Sequence, residues 1–383
     1  MDYIYLDHAA TAPMDSRVTE AMVPVMDGVF GNPSSVHSFG RKARQQLDEA
    51  RRVIAGSIHA NEKEIIFTGG GTEADNLALI GTALANQYNG RHIITTEQEH
   101  HAALHTAHYL ESRGFDVTYL PVDASGVVSP NAVKDALTDE TILVSVMYVN
   151  NETGMIQPVK EIGEIVSGHQ AYFHTDAVQA YGLLDIDVNE TGIDMLSVSS
   201  HKISGPKGIG FLYAADDVKL DAIQYGGEQE RKRRPGTENV AGAVGFQKAV
   251  EIMMDSKGDR NKLYAEFRDL FINELTESGV QFEVNGTAEN AINSIMNISF
   301  PGTNVESMLT NLDLEGVAAS SGSACTAGSV EPSHVLTAMY GENDKRTTNS
   351  IRFSFGIYNT NENVKNAAGR VAKIVERLTA KEV

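Results

Sequence analysis

Two polar side chains stand at the ends of hydrophobic runs in this chain of 383 residues: Asp176 in AYFHTDAVQ and Lys202 in MLSVSSHKISGPKGIGF. A carboxylate ending an apolar strand needs a cationic partner or a hydrogen-bond network. Alone, Asp176 reads equally as a salt-bridged structural residue. Lys202 follows Ser199 and His201 between two strand-like runs, and the alternation before it delivers it to a sheet edge. Lys207, in the turn GPKG, reads as an ordinary solvated lysine. After EIIFT comes GGGTEADN, a glycine-rich turn into a helix whose free backbone N–H groups, with the Thr72 hydroxyl, suit a phosphate. It matches neither GxGxxG nor the Walker pattern, so by itself it serves equally as a tight turn. The fourth stretch, AASSGSACTAGSVEP at residues 318–332, holds Cys325, the only cysteine. A structural cysteine usually packs as a small hydrophobe in an apolar element. Small, polar, flexible neighbours suit a reactive thiol on a moving loop.

The elements that must position these groups follow from the hydrophobic pattern. From about residue 62, β-rich runs (EIIFT, HIITT, VTYLPV, TILVSVMYV, AYFHTDAV, MLSVSS, GIGFLYA) alternate with helical stretches such as TEADNLALIGTALANQ, HHAALHTAHYLESR and VKEIGEIV. Such alternation predicts an α/β domain with a mainly parallel sheet covered by helices. Ligands in open α/β sheets bind beyond the carboxyl ends of the strands, where Asp176 and Lys202 fall. The charged stretch DSKGDRNK, residues 255–262, is expected to separate a large α/β domain, 14–256, from a smaller α+β domain formed by 1–13 and 257–383.

Composition sets the surroundings. A content of 42% hydrophobic residues supports a sizeable core, and a single cysteine forms no intramolecular disulfide. The N-terminus MDYIYLDHAATAP lacks a basic flank and an apolar core region, and no run approaches the roughly 18 apolar residues of a membrane span. A cytoplasmic protein without membrane contact is expected. With 51 acidic against 31 basic residues the formal charge is −20, which repels phosphate backbones, so no direct nucleic-acid binding is expected.

Together the lysine, the aspartate and the phosphate-suited turn meet the requirements of pyridoxal 5'-phosphate: an amine for a Schiff base, an anion that keeps the ring nitrogen protonated, and a helix N-terminus for the phosphate. The chain also closely resembles the group I (NifS/IscS-type) cysteine desulfurases, within the class V aminotransferases of pyridoxal-phosphate fold type I. The resemblance runs nearly end to end through YLDHAAT, GNPSSVHSFGR, FTGGGTEADN, TTEQEHHA, VNNETG, HTDAVQ, SSHKISGPKG, RRPGTEN, SSGSACTAG and SIRFSFG.

By that resemblance Lys202 is the Schiff-base lysine, Asp176 partners the pyridinium nitrogen, Gln179 contacts the phenolic oxygen, and His100 stacks on the ring and assists proton transfer. Gly71, Thr72, Ser199 and His201 bind phosphate, and Thr237 is supplied by the neighbouring subunit of a homodimer. Asn151, which also contacts the cofactor, and Arg352 position L-cysteine, the arginine by a bidentate clamp on its carboxylate. Cys325 takes the sulfur as a persulfide, alanine leaves, and the sulfur passes to an iron–sulfur scaffold, a tRNA thiolation enzyme or another carrier. No resident metal is implied, only transient ligation of an iron–sulfur cluster by Cys325 beside a scaffold partner.

His101, His105 and His108 at i, i+4 and i+7, with Glu97 nearby, have a spacing compatible with a metal. They lack HExxH, and surface or packing histidines are commoner. The basic cluster ERKRRPGT, residues 230–237, suits an RNA or protein docking patch, but a solvated loop beside an anionic cofactor explains it more simply. An aminotransferase has no need of Cys325. A selenocysteine lyase shares most of the machinery, and only relative rates on the two substrates separate it.

Overall fold

The computed structural model describes residues 3–322 and 332–380. Seven short apolar runs build its large sheet: Ile65–Thr68 (β1), His92–Thr96 (β2), Asp116–Leu120 (β3), Thr141–Ser145 (β4), Tyr172–Asp176 (β5), Met195–Ser199 (β6) and Gly210–Ala214 (β7). Their order is β1-β7-β6-β5-β4-β2-β3, and β7 alone runs antiparallel to its neighbours. Apart from edge strand β3 the strands are buried almost throughout, because helices cover both faces. Alternate residues divide between the faces: Val144, Phe173, Val198 and Phe211 enter one core, Leu143, Met195 and Leu212 the other. The expected α/β architecture with a mainly parallel sheet is what the chain forms.

One run ends sooner than its sequence suggests. TILVSVMYV is apolar to Val149, yet the strand stops at Ser145. Val146 and Tyr148 still donate to the carbonyls of His174 (3.1 Å) and Asp176 (2.9 Å), so the segment leaves the ladder while remaining largely buried.

A second core lies on a three-stranded antiparallel sheet of Ser350–Ser354, Ile295–Ser299 and Glu283–Val284. Helix Asn361–Thr379 contributes Val364, Ala368 and Val371 to it, and the N-terminal Ile4 and Leu6 join them. Strand Ile4–Tyr5 pairs in parallel with Val317–Ala318. Both cores share the 39-residue helix Val240–Ser278: its Ala243, Phe246, Val250 and Met253 pack in the first, its Tyr264, Phe267, Phe271 and Leu275 in the second. The charged stretch 255–262 falls between these two sets of contacts, inside the unbroken helix. A solvated stretch of helix therefore separates the residues packed in the first core from those packed in the second.

The basic loop is anchored to the body. Glu230, Arg231 and Lys232 hold φ values of 45°, 57° and 69°, a run of left-handed residues that persists only where surrounding contacts over-determine it. Glu230 supplies those contacts, accepting both terminal nitrogens of Arg51 at 2.7 Å and the Phe67 N–H at 3.1 Å. Arg51 also donates to the Ile65 carbonyl and lies 4.6 Å over the Phe67 ring, and Arg234 donates to Glu73 at 2.6 Å. Replacing Arg51 by Leu leaves a buried carboxylate without its cation. The expected cost is about 3 kcal/mol, read as a lower urea midpoint of the apoprotein; an unchanged midpoint contradicts the anchoring.

Candidate active site

Strands β5 and β6 end side by side, with Asp176 in register with Ser197, and β6 and β7 place Ser199 opposite Gly210. Beyond their carboxyl ends lies a cavity of about 370 Å³. Gly71, Thr72, His100, Asn151, Asp176, Gln179, Ser199, His201, Lys202 and Arg352 all line it, although they come from segments far apart in sequence. Thr237 does not line it and is exposed. Cys325 lies outside the described residues, but Gly322 and His334, on either side of its segment, both face the cavity. A larger groove of about 670 Å³ beside the Arg51–Glu230 pair contains none of these groups.

One end of the cavity is built for an anion. Helix Gly71–Asn86 follows Gly70, whose φ of 150° and missing side chain leave the first turn without a side-chain cap. Its leading N–H groups therefore have neither an intrahelical acceptor nor a side-chain cap among the described residues, with the positive end of the helix dipole behind them. A Cβ on Gly71 would stand 2.7 Å from Val178 Cγ2, so glycine is what lets the helix start this close to the strand ends. Thr72, Ser199 and His201 border the same space, and exposed Lys207 lies on its outer rim. His201 is held by Thr11 Oγ1 at 3.0 Å, and burial lowers its pKa to about 4, so it meets an anion as a neutral imidazole.

The other end opposes a cation to buried acids. Lys202 sits on the tight turn Ser200–Ile203, closed by Ser204 at φ 63°, and its Nζ donates to the carbonyls of Ala9 at 2.5 Å and Ala10 at 2.9 Å. Asp176 is 5% exposed and accepts the Val178 N–H at 2.9 Å. Burial raises its pKa to about 6, against the Val178 bond and the charge of Lys202. Gln179 donates to the Ala9 carbonyl at 3.0 Å. His100 caps helix His101–Ser112 by accepting the Ala102 N–H on Nδ1 at 3.1 Å, which leaves Nε2 as the protonated nitrogen of the neutral ring. Burial and then the Lys202 charge lower its pKa to about 4.

Arg352, from the second sheet, reaches the cavity with its side chain 3% exposed, donating to Asp7 at 2.9 Å and to the Asn151 carbonyl at 2.9 Å. Its Nε, also buried, meets no acceptor among the described residues.

Three ionisable lining residues escape the sequence reading. Asp75 is 1% exposed and Glu152 is 1% exposed, yet both line the cavity, as does His334. Glu152 accepts the Ser333 hydroxyl at 2.5 Å and lies against Gly322, so it touches residues flanking the Cys325 segment on both sides; burial raises its pKa to about 7. The signal for Asp75 is its helical spacing of four from Gly71, and for Glu152 its place within NNETG. His101 and His105 stack at 4.8 Å, His105 and His108 at 6.3 Å. The three described residues that bring metal-type donor atoms within 4.8 Å of one another are instead Asp75, His100 and Asp176.

This donor set fits pyridoxal phosphate: an uncapped helix N-terminus with hydroxyls, a buried carboxylate, and an amine, all on one cavity. The comparisons agree with the geometry. The Aminotransferase class-V family matches over residues 4–367. A Bacillus subtilis (strain 168) protein provisionally named cysteine desulfurase IscS 1 is 61% identical, covering 99% of this chain and 100% of its own. The cysteine desulfurase IscS of Dictyoglomus turgidum is 46% identical over 98% of this chain and 95% of its own. A solved structure of SspA in complex with cysteine superposes with a TM-score of 0.81 at 37% identity, covering 93% of this chain and 99% of that one. With sheet order, cavity and relatives in agreement, the chain belongs to the class-V aminotransferase family and, within it, to the IscS/NifS-type cysteine desulfurases.

Proposed function

We propose that the chain is a pyridoxal-phosphate-dependent cysteine desulfurase that converts L-cysteine to L-alanine and holds the sulfur as a persulfide on Cys325. The observation that carries this reading is the meeting of Lys202, Asp176 and an uncapped helix N-terminus in one cavity. When bound, pyridoxal phosphate supplies an aldehyde that condenses with amines and a protonated ring that takes up an electron pair.

The chain's own groups do the rest. The first-turn N–H groups at Gly71 and Thr72, with Ser199 and His201, would hold the phosphate. Asp176 would keep a proton on the ring nitrogen, Gln179 would contact the phenolic oxygen, and the neutral imidazole of His100 would stack on the cofactor ring and pass protons through Nε2. Lys202 takes the Cα proton of the substrate. Arg352 and Asn151 orient the substrate carboxylate, the unpartnered Nε giving the arginine a donor to spare. Cys325, as thiolate, attacks the substrate sulfur: the S–S bond forms as the C–S bond breaks. The electron pair of the C–S bond stays with the carbon skeleton, which is protonated and leaves as alanine, and the sulfur passes on to an iron–sulfur scaffold, a tRNA thiolation enzyme or another carrier. A large domain of residues 14–256 then carries the cofactor, and a small one of 1–13 and 257–383 carries the thiol.

The active unit in this reading is a homodimer. Support comes from Thr237, exposed and outside its own chain's cavity, and from the uncovered apolar pair Phe30 and Phe39, 5.1 Å apart and 74% and 54% exposed. A partner's Thr237 hydroxyl completes the phosphate site.

Lys202→Ala is expected to fold and to bind pyridoxal phosphate without a borohydride-fixable link. A link that persists with normal turnover moves the role to Lys207. Cys325→Ala is expected to bind the cofactor and change its visible spectrum on adding cysteine, yet to yield neither alanine nor protein-bound sulfur; near wild-type desulfuration makes the thiol incidental. Thr237→Ala is expected to weaken cofactor retention by about 1.5–3 kcal/mol, the range for a hydrogen bond to a charged group. Full activity in a monomer at high dilution overturns the composite site.

A further inference from the structure

We infer that Asp75 is held as a neutral carboxylic acid behind Asp176, so that the two buried acids carry one negative charge, located on Asp176. Asp75 is thus a positioning residue for the charge that faces the cofactor ring, an assignment that deepens the reading above.

Geometry brings the two acids together. Asp75 descends from helix Gly71–Asn86 onto the ends of β5 and β6, and donor atoms of Asp75, Asp176 and His100 all lie within 4.8 Å of one another. Neither acid is more than 5% exposed. Two like charges this close and this dry do not both persist without cations to match. The groups facing Asp75 are Asp176 and His174 from β5, Ser197 from β6, and Glu99 and His100 after β2. None of these is a cation: Lys202, after β6, acts on Asp176 and His100, while Arg352 is already engaged by Asp7.

The single charge belongs on Asp176 because its stabilisers are there. Asp176 accepts the Val178 N–H and feels Lys202. Asp75 has a weaker set: its Oδ1 is buried without a hydrogen-bond partner among the described residues. His174 approaches it at 3.6 Å, but both ring nitrogens already serve hydroxyls, Nδ1 with Ser145 at 2.9 Å and Nε2 with Ser197 at 3.0 Å. Burial drives the His174 pKa down to about 3, so it offers no positive charge. Burial, then the negative charge of Asp176, pushes the Asp75 carboxyl well above the usual carboxylate range, opposed by the Ser197 hydroxyl. The arrangement also serves Lys202: a second anion in the cavity would favour its ammonium form and blunt it as a base.

The test compares wild type with the isosteric Asp75→Asn, which mimics the neutral acid. In the apoprotein at neutral pH, the infrared difference spectrum is expected to lose a protonated-carboxyl C=O stretch that shifts in D2O. Loss from the carboxylate region instead shows an ionised Asp75 and overturns the inference. With pyridoxal phosphate bound, the pH midpoint of the cofactor's absorbance is expected to stay within about 0.3 units, a twofold change in the underlying constant. A downward shift of about one unit or more, as expected when a nearby negative charge is deleted, also overturns it. Asp75→Ser, read in the same two ways, substitutes if the asparagine variant does not fold. The infrared arm needs no cofactor, so failure of the cofactor reading is told apart from failure of this one.

Discussion

Charge buried at the carboxyl ends of β5 and β6 is the constraint that the rest of the molecule answers. Asp75, Glu152 and Asp176 are all buried around one cavity, against Lys202 and Arg352. An anion survives there only with a cation or N–H groups aimed at it. Each of those donors depends on a different element: Val178 N–H on the turn after β5, Lys202 on the turn after β6, and Arg352 on the second sheet. The two cores are therefore joined by electrostatics as well as by the shared helix Val240–Ser278. Through Asp7 and the Asn151 carbonyl, Arg352 also fixes the N-terminal segment and the loop that carries Glu152.

A neutral cavity histidine follows from the same constraint. His100 and His201 both have their pKa lowered to about 4, first by burial and then by Lys202. Near neutral pH each presents an imidazole that donates one proton and accepts another, which suits proton transfer and phosphate contact without adding charge. The chain as a whole is acidic, so the basic loop at 230–237 is set apart by sign, and its anchoring through Glu230 and Arg234 leaves it as a held structure beside the anion end of the cavity.

Much of this was legible in the residues. Hydrophobic runs bounded by turns marked all seven strands, since strands buried on both faces read as continuous apolar stretches. Lys202, Asp176 and the GGGT turn were legible in combination: each alone has an ordinary structural use, but together they meet the needs of one cofactor. Asp75 was not: an acid inside a helical stretch reads as a solvated side chain, and only tertiary packing turns it inward. Glu152 was hidden for the same reason within a polar loop. The stretch 255–262 was legible as a change of surroundings by its charge, but that it lies within one continuous helix was not, since local charge does not distinguish a loop from the exposed stretch of a helix. Thr237 was found by resemblance, and a single chain shows only that it lies outside its own cavity.

The central claim is that sulfur leaves cysteine for Cys325 while the carbon skeleton leaves as alanine. The most direct measurement is a single turnover of the loaded wild-type enzyme with isotopically labelled cysteine, counting alanine released and labelled sulfur retained, and locating that sulfur by peptide mapping. Equal amounts of alanine and of sulfur on the Cys325 peptide are predicted. Pyruvate with free sulfide, or alanine formed with the label elsewhere than Cys325, would contradict the account.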